Sequence, residues 1–194
     1  MIRQADIPQG GMCLDLCSGT GDLAHALYRL IPEGKIIALD FSESMLQIAQ
    51  QRFSSPTPRL MLVQGDAMQL PFASHLFDIV TVGFGLRNVE NLFGCLKDIL
   101  RVLKPGGVLI TLDVGKVRLP IISVFHHFFF FYIVPLIGKW LYPGQDMFDY
   151  LPHSSLSYPD QETLKQMMLQ IGFTQVKIYN FMFGAATIHI AHHS

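Results

Sequence analysis

Apolar and polar positions along this chain fall into blocks whose period switches between strand-like runs and helical spacing. Met12-Cys-Leu-Asp-Leu16 is a short, almost continuously apolar run, and so are residues 35–39, 60–63, 77–82 and 108–113. Runs of that length, rich in Leu, Ile and Val, fit strands buried on both faces of a parallel sheet. Between them lie segments with apolar residues at helical spacing: 22–30, 44–53 (Met45, Leu46, Ile48, Ala49) and 91–103. Pro32 stops the first helix, Ser54-Ser-Pro-Thr-Pro58 is a loop, and Lys104-Pro-Gly-Gly107 is a turn after the third helix. A fourth helix is expected over 159–171, with Pro159 at its start and Gly172 at its end. Residues 173–179 and 185–191 read as a closing pair of strands. The alternation predicts an α/β, Rossmann-like fold with a mostly parallel seven-stranded sheet and an antiparallel closing strand.

One stretch stands outside this rhythm. Residues 119–138 hold no Asp, Glu, Lys or Arg over a length able to span a bilayer, with four consecutive phenylalanines, Phe128 to Phe131. Ser123, His126, His127 and Pro135 interrupt it, and a lone span before the last strand pair would split one sheet across a membrane. It reads as a helix over an apolar cavity or on a membrane surface, or else as one packed wholly on the sheet. The chain, 1–194, is expected to be one domain, with 119–158 as a lid or substrate-side insertion.

Charge narrows the partners. Across 194 residues, 14 Lys and Arg face 15 Asp and Glu, so no cationic surplus exists to neutralise nucleic-acid phosphates. Hydrophobic residues are 50% and charged residues 15%, which excludes a disordered acidic chain. Three cysteines, Cys13, Cys17 and Cys95, make no disulfide framework, so a reducing compartment is expected. Cys13 and Cys17 lack the third cysteine an iron–sulfur cluster needs, Thr20 standing in its place, and no metal is expected. Residues 1–11 contain no apolar leader run, and the expected location is the cytoplasm, peripheral to the inner membrane.

The first strand–helix turn reads Asp15-Leu-Cys-Ser-Gly19-Thr20-Gly21-Asp22-Leu-Ala24. Its glycines let a ligand approach the backbone, and the following helix offers free amides. Gly19-x-Gly21-x-x-Ala24, with Asp40 after the second strand, also fits a dinucleotide fingerprint. Charge separates the two readings. A pyrophosphate would lie beside Asp15 and Asp22, whereas S-adenosylmethionine brings an ammonium and a sulfonium that carboxylates favour. Asp66, after the third strand, is placed to accept from an adenine amino group, with the Ala67 amide against the ring; the plainer role is a turn cap. Asp15, Asp40 and Asp66 thus end three successive strands at one edge of the sheet, where open α/β sheets bind ligands.

The run Asp15 to Ala24 resembles the cofactor loop of class I methyltransferases. Gly83-Phe-Gly-Leu-Arg87-Asn88-Val89, Arg101-Val-Leu-Lys-Pro-Gly-Gly107, Pro135-Leu-Ile-Gly138, Tyr150-Leu151, Pro159-Asp-Gln-Glu-Thr-Leu-Lys165 and Gly184-Ala-Ala-Thr-Ile-His189 narrow it. Together they resemble the ubiquinone/menaquinone-biosynthesis C-methyltransferase family over nearly the whole chain. The resemblance implies cofactor contacts from Thr20, Asp40, Phe41, Asp66, Ala67 and Gly83, beside Asp15, Gly19 and Gly21. Where family members often carry a polar side chain, Gly83 leaves only backbone. The family also has several tens of residues ahead of the first strand; this chain starts close to it, so an open, wet cofactor site is expected there.

The implied reaction is methyl transfer to a ring carbon of a polyprenyl hydroquinone or naphthol. Arg87 is the expected stabiliser of the developing phenolate and Asn88 the holder of a ring oxygen or water. The plainer role for Arg87 is an ion pair with Glu90 or Asp78. His153, Tyr158 and Asp149 are the candidate bases, ahead of His126 and His127. Expected partners are the polyprenyl quinone precursor, a membrane surface, and a second copy or a quinone-biosynthesis complex. The alternatives are a class I methyltransferase for another small molecule, a cofactor-binding subunit without turnover, and an NAD oxidoreductase.

Overall fold

The structure, a computed structural model, describes residues 10–53, 58–117 and 157–194. The expected 119–138 helix, the candidate bases His126, His127, Asp149 and His153, and the start of the chain lie outside the described residues. Seven strands form one sheet: β1 (Met12–Leu16), β2 (Lys35–Asp40), β3 (Leu60–Gln64), β4 (Phe77–Gly83), β5 (Leu103–Val114), β6 (Phe173–Phe181) and β7 (Ala186–His193). Their order is β3-β2-β1-β4-β5-β7-β6; the first five are parallel, and β7 runs antiparallel to both β5 and β6. The chain leaves β1 in one direction to build β2 and β3, then returns to build β4 on β1's other side. That reversal opens a crevice at the carboxyl ends of β1 and β4.

Among the described residues four helices cover the sheet: α1 (Asp22–Leu30), α2 (Glu43–Arg52), α3 (Leu92–Val102) and α4 (Gln161–Ile171). The apolar stripes of α3 and α4 bury Leu96, Ile99, Leu164 and Met168 on one face. Ala24, Leu27 and Ile31 from α1 and its C-cap fill the other face against Cys13, Ile36 and Ile79. The central strands are buried on both sides, as their unbroken apolar runs imply.

Element boundaries move for local reasons. Ser42, Asn91 and Asp160 accept backbone amides as N-caps, so α2, α3 and α4 begin at residues 43, 92 and 161. Lys104-Pro-Gly-Gly107 is not a free turn. It forms an irregularity inside β5, between the pairings Phe77↔Leu103 and Ile79↔Val108. The closing hairpin extends two residues past each expected strand end. Arg59 ties β3 to the end of α1 by donating to the carbonyls of Ile31 (2.8 Å) and Gly34 (2.9 Å). Among the described residues no helix is long and apolar enough to cross a membrane.

Candidate active site

The loops that follow β1, β2, β3 and β4 at the carboxyl edge wall a cavity of about 560 Å³. Six residues read from the sequence as cofactor-binding line it: Gly19, Asp40, Phe41, Asp66, Ala67 and Gly83; Asn88 does too. Asp40 is the organising group. Its Oδ2 accepts from the Gly19 amide (2.7 Å) and its Oδ1 from the Ser42 amide (2.9 Å), locking the glycine loop to the start of α2. Both oxygens keep lone pairs for ribose hydroxyls. Asp66 takes the plainer role, its Oδ1 capping the turn by accepting from the Met68 amide (2.8 Å), and the residue also walls the cavity.

Three other residues expected to contact the cofactor, Asp15, Thr20 and Gly21, are not among those that line the cavity. Asp15 is fully buried behind the cavity wall, where its Oδ1 accepts from the Thr81 hydroxyl (2.7 Å) and its Oδ2 has no partner. Burial pushes its carboxyl up to about 7 against the lowering effect of those hydrogen bonds. Thr20 turns outward: its hydroxyl donates to Asp22 (2.9 Å) and accepts from Arg52 (3.0 Å). Gly21 is the N-cap of α1 at φ 82°, and a Cβ there would meet Phe53 at 3.0 Å, so its bareness serves packing on α2. Asp22 does not cap α1 with its side chain; it pairs with Arg52 at 2.9 Å.

The charge argument therefore rests on other residues than expected. Asp22 is matched by Arg52, and Asp15 is fully buried and does not line the cavity. Yet the cavity wall carries Asp40, Asp66 and Glu90, and among the described residues no Lys or Arg lines it. Such a wall repels a pyrophosphate and attracts a cation. From the sequence Glu90 is read only as an ion-pair partner for Arg87, because nothing in its local pattern marks it as part of a cavity wall.

Arg87 lies in a short 3₁₀ turn after β4, Leu86–Asn88, with its side chain 7% exposed. Its NH1 donates to Asp113 Oδ1 at 2.9 Å, and its backbone amide donates to Oδ2 at 3.3 Å. Neither Glu90 nor Asp78 is the partner; Asp78 binds Lys104 at 2.8 Å. Asp113 closes the apolar strand β5, the same signal that singled out Asp15, and its carboxyl is pushed up by burial despite Arg87. Nε of Arg87 is buried without a partner. Tyr158 is also buried with an unpartnered hydroxyl, and burial, then the Asp113 charge, holds that phenol well above 10. A phenol held so firmly protonated is a donor and a poor base, which corrects its candidacy. Burial raises the three cysteines to about 12, so none is a nucleophile.

Gly85 shapes the cavity mouth. A Cβ there would collide with Cys17, so β1's loop and β4's loop meet only because this position is bare.

The strand order and the acid-walled cavity at the carboxyl edge define the class I methyltransferase fold. A model of the ubiE/COQ5 methyltransferase family matches residues 2–193, and the chain belongs to that family. A protein named demethylmenaquinone methyltransferase from Leptospira interrogans is 48% identical over 182 residues, 92% of this chain and 73% of that protein. One of the same name from Staphylococcus saprophyticus is 35% identical over 193 residues, 99% of this chain and 82% of that protein. Among solved structures, a SAM-dependent methyltransferase from Aquifex aeolicus matches with a TM-score of 0.72 at 15% identity, covering 100% of this chain and 87% of that one. Phosphoethanolamine N-methyltransferase 2 from Haemonchus contortus matches with a TM-score of 0.73 at 15% identity, covering 99% of this chain and 51% of that one.

Proposed function

We propose that this chain transfers the methyl group of S-adenosylmethionine to a ring carbon of a polyprenyl hydroquinone, of the demethylated naphthoquinol type for which its relatives are named. The observation that carries this reading is the cavity itself. Asp40 and Asp66 stand on its wall with Asn88, and Arg87 lies beside Asn88 in the chain.

The residues present fit the cofactor. Asp40 suits the ribose hydroxyls and the carboxylates suit a cation. Ser18, in the glycine loop, has a buried hydroxyl with no partner in the protein and is a free donor there. When bound, the cofactor supplies an electrophilic methyl group on sulfonium. The protein's task is to orient the acceptor in line and to make its ring carbon nucleophilic. Loss of a phenolic proton drives electron density onto the neighbouring carbon. Arg87 Nε is the donor assigned to the developing phenolate, held in place by the Asp113 pair, and Asn88 orients a ring oxygen. The new C–C bond forms as the C–S bond breaks, and the ring proton then leaves as aromaticity returns.

Calorimetry tests the cofactor half. S-adenosylhomocysteine should bind and NAD should not, and Asp40→Ala should weaken binding by about 1–3 kcal/mol through unpaired ribose hydroxyls. Binding of NAD in place of S-adenosylhomocysteine ends the reading. For the acceptor half, a short-tailed naphthoquinol should be methylated in preference to a small polar phenol. Transfer to the polar phenol alone would leave a methyltransferase for a different small molecule.

A further inference from the structure

The carboxyl edge of the sheet carries a second feature that methyl transfer itself does not use. The turn between β6 and β7 presents Phe181, Met182 and Phe183 at 49, 78 and 69% exposure. Val114 pairs with Ala186, and Phe181 with the same residue, so this turn stands at the edge where β5 ends and the cavity opens. Phe84, on the cavity wall after β4, is 44% exposed at that edge as well.

This turn is built, not frayed. Met182 and Phe183 hold φ of 49° and 59°, a left-handed conformation that residues with a Cβ rarely adopt. Such strain persists where surroundings enforce it. Here Gln161, 5% exposed, donates through Nε2 to the carbonyls of Gly184 (3.3 Å) and Lys116 (3.0 Å) and accepts from the Lys116 amide (3.1 Å). Ala185 donates to the Met182 carbonyl at 3.2 Å, and Gly115 to that of Ala185 at 3.0 Å. The clamp therefore holds two large apolar side chains out in water. It also places the backbone of Lys116, an exposed residue, beside Gly184, with no ion pair to Lys116 among the described residues. Glu162, in the first turn of α4, is 3.8 Å from Lys165.

We propose that the Phe181–Phe183 turn is a lipid-inserting wedge that seats the carboxyl edge of the sheet on an anionic bilayer, with Lys116 facing the headgroups. Aromatic and long apolar side chains with a cation beside them fit the boundary between headgroups and acyl chains. The inference rests on the proposed acceptor, whose polyprenyl tail lies in that bilayer. Docking by this edge turns the mouth of the cavity toward the layer that holds the acceptor.

Sedimentation of the full chain with vesicles of phosphatidylcholine, with and without phosphatidylglycerol, tests it. Met182→Ser with Phe183→Ser should lower the partition coefficient about tenfold, with melting temperature and S-adenosylhomocysteine affinity unchanged. Phe183→Gly removes the ring where glycine suits the backbone, so it should weaken vesicle binding while melting no earlier. Lys116→Glu should weaken binding only to the anionic vesicles. Unchanged vesicle binding in the serine and glycine variants would overturn the proposal. Earlier melting of Phe183→Gly would overturn it too, because the ring would then be packing against protein. Turnover of a tail-less, water-soluble naphthoquinol by the same variants reads the chemistry separately. Its absence in wild type would count against the acceptor assignment, while the vesicle result still decides the wedge.

Discussion

Arg87 shows how far a single residue can be read from sequence. Its position after β4 places it at the ligand edge, and the choice between catalytic cation and ion-pair partner was visible. The identity of the partner was not, because Asp113 is 26 residues away and the pairing depends on β4 and β5 lying side by side. The structure shows the ion pair, with Asp113 as its partner, and the catalytic role belongs to the proposal. With side chains 7% and 4% exposed, the pair is buried, and removing one charge strands the other at a cost of about 3–5 kcal/mol. Arg87→Ala should melt earlier and should also lose about 100- to 1000-fold in turnover per folded molecule, with cofactor affinity kept. Arg87→Lys should recover part of that, since an ammonium cannot reproduce the planar fork. Normal turnover by an early-melting Arg87→Ala protein would reduce Arg87 to a structural partner. Asp15 makes a different prediction. Its folded carboxyl titrates near about 7, while the unfolded chain releases that proton at about 4. Between those values the folded state holds more protons, so stability falls as pH rises from about 4 to about 7 and then levels. Asp15→Asn should flatten that slope in denaturant titrations across the range; an unchanged slope would place the proton elsewhere.

At the scale of elements, periodicity and punctuation located every strand and helix among the described residues, while caps and pairings moved their ends. Asn91 and Asp160 read as helical from sequence because a cap differs from a first turn only in its backbone angles and in which amides its side chain meets. The long β6–β7 hairpin was shortened in the sequence reading because Phe181-Met-Phe-Gly184 carries no alternation to mark a strand end. Its clamp, Gln161, was visible only as a residue in a resembling motif. Gln161, the first residue of α4, reaches the segment after β5 and the hairpin turn at once, and His189 donates to its carbonyl at 2.9 Å. Gln161→Leu should leave the Lys116 amide and Gly184 carbonyl unpaired, costing about 1–3 kcal/mol for each group that water does not reach. Chemical denaturation would show it, and hydrogen exchange should place the loosening at residues 184–187; a loss spread evenly over the sheet would argue against a local clamp.

Across the whole molecule, the β3-β2-β1-β4-β5-β7-β6 order brings loops from four strands to one crevice, which makes six separate sequence signals into one wall. That convergence was legible because acids that close apolar strands have few other reasons to be there. The electrostatic sign was also legible, but through the wrong residues. Asp22's pairing with Arg52 and Glu90's place on the wall both depend on tertiary contacts that local pattern does not encode. In the proposed function this wall holds a methyl donor opposite a quinol ring. Nuclear magnetic resonance of the product formed from methyl-labelled S-adenosylmethionine and a short-tailed, demethylated naphthoquinol under reducing conditions tests it most directly. The label should appear as a methyl on a ring carbon, with S-adenosylhomocysteine formed in equal amount. A label on oxygen, or none on the acceptor while S-adenosylhomocysteine binds normally, would contradict it.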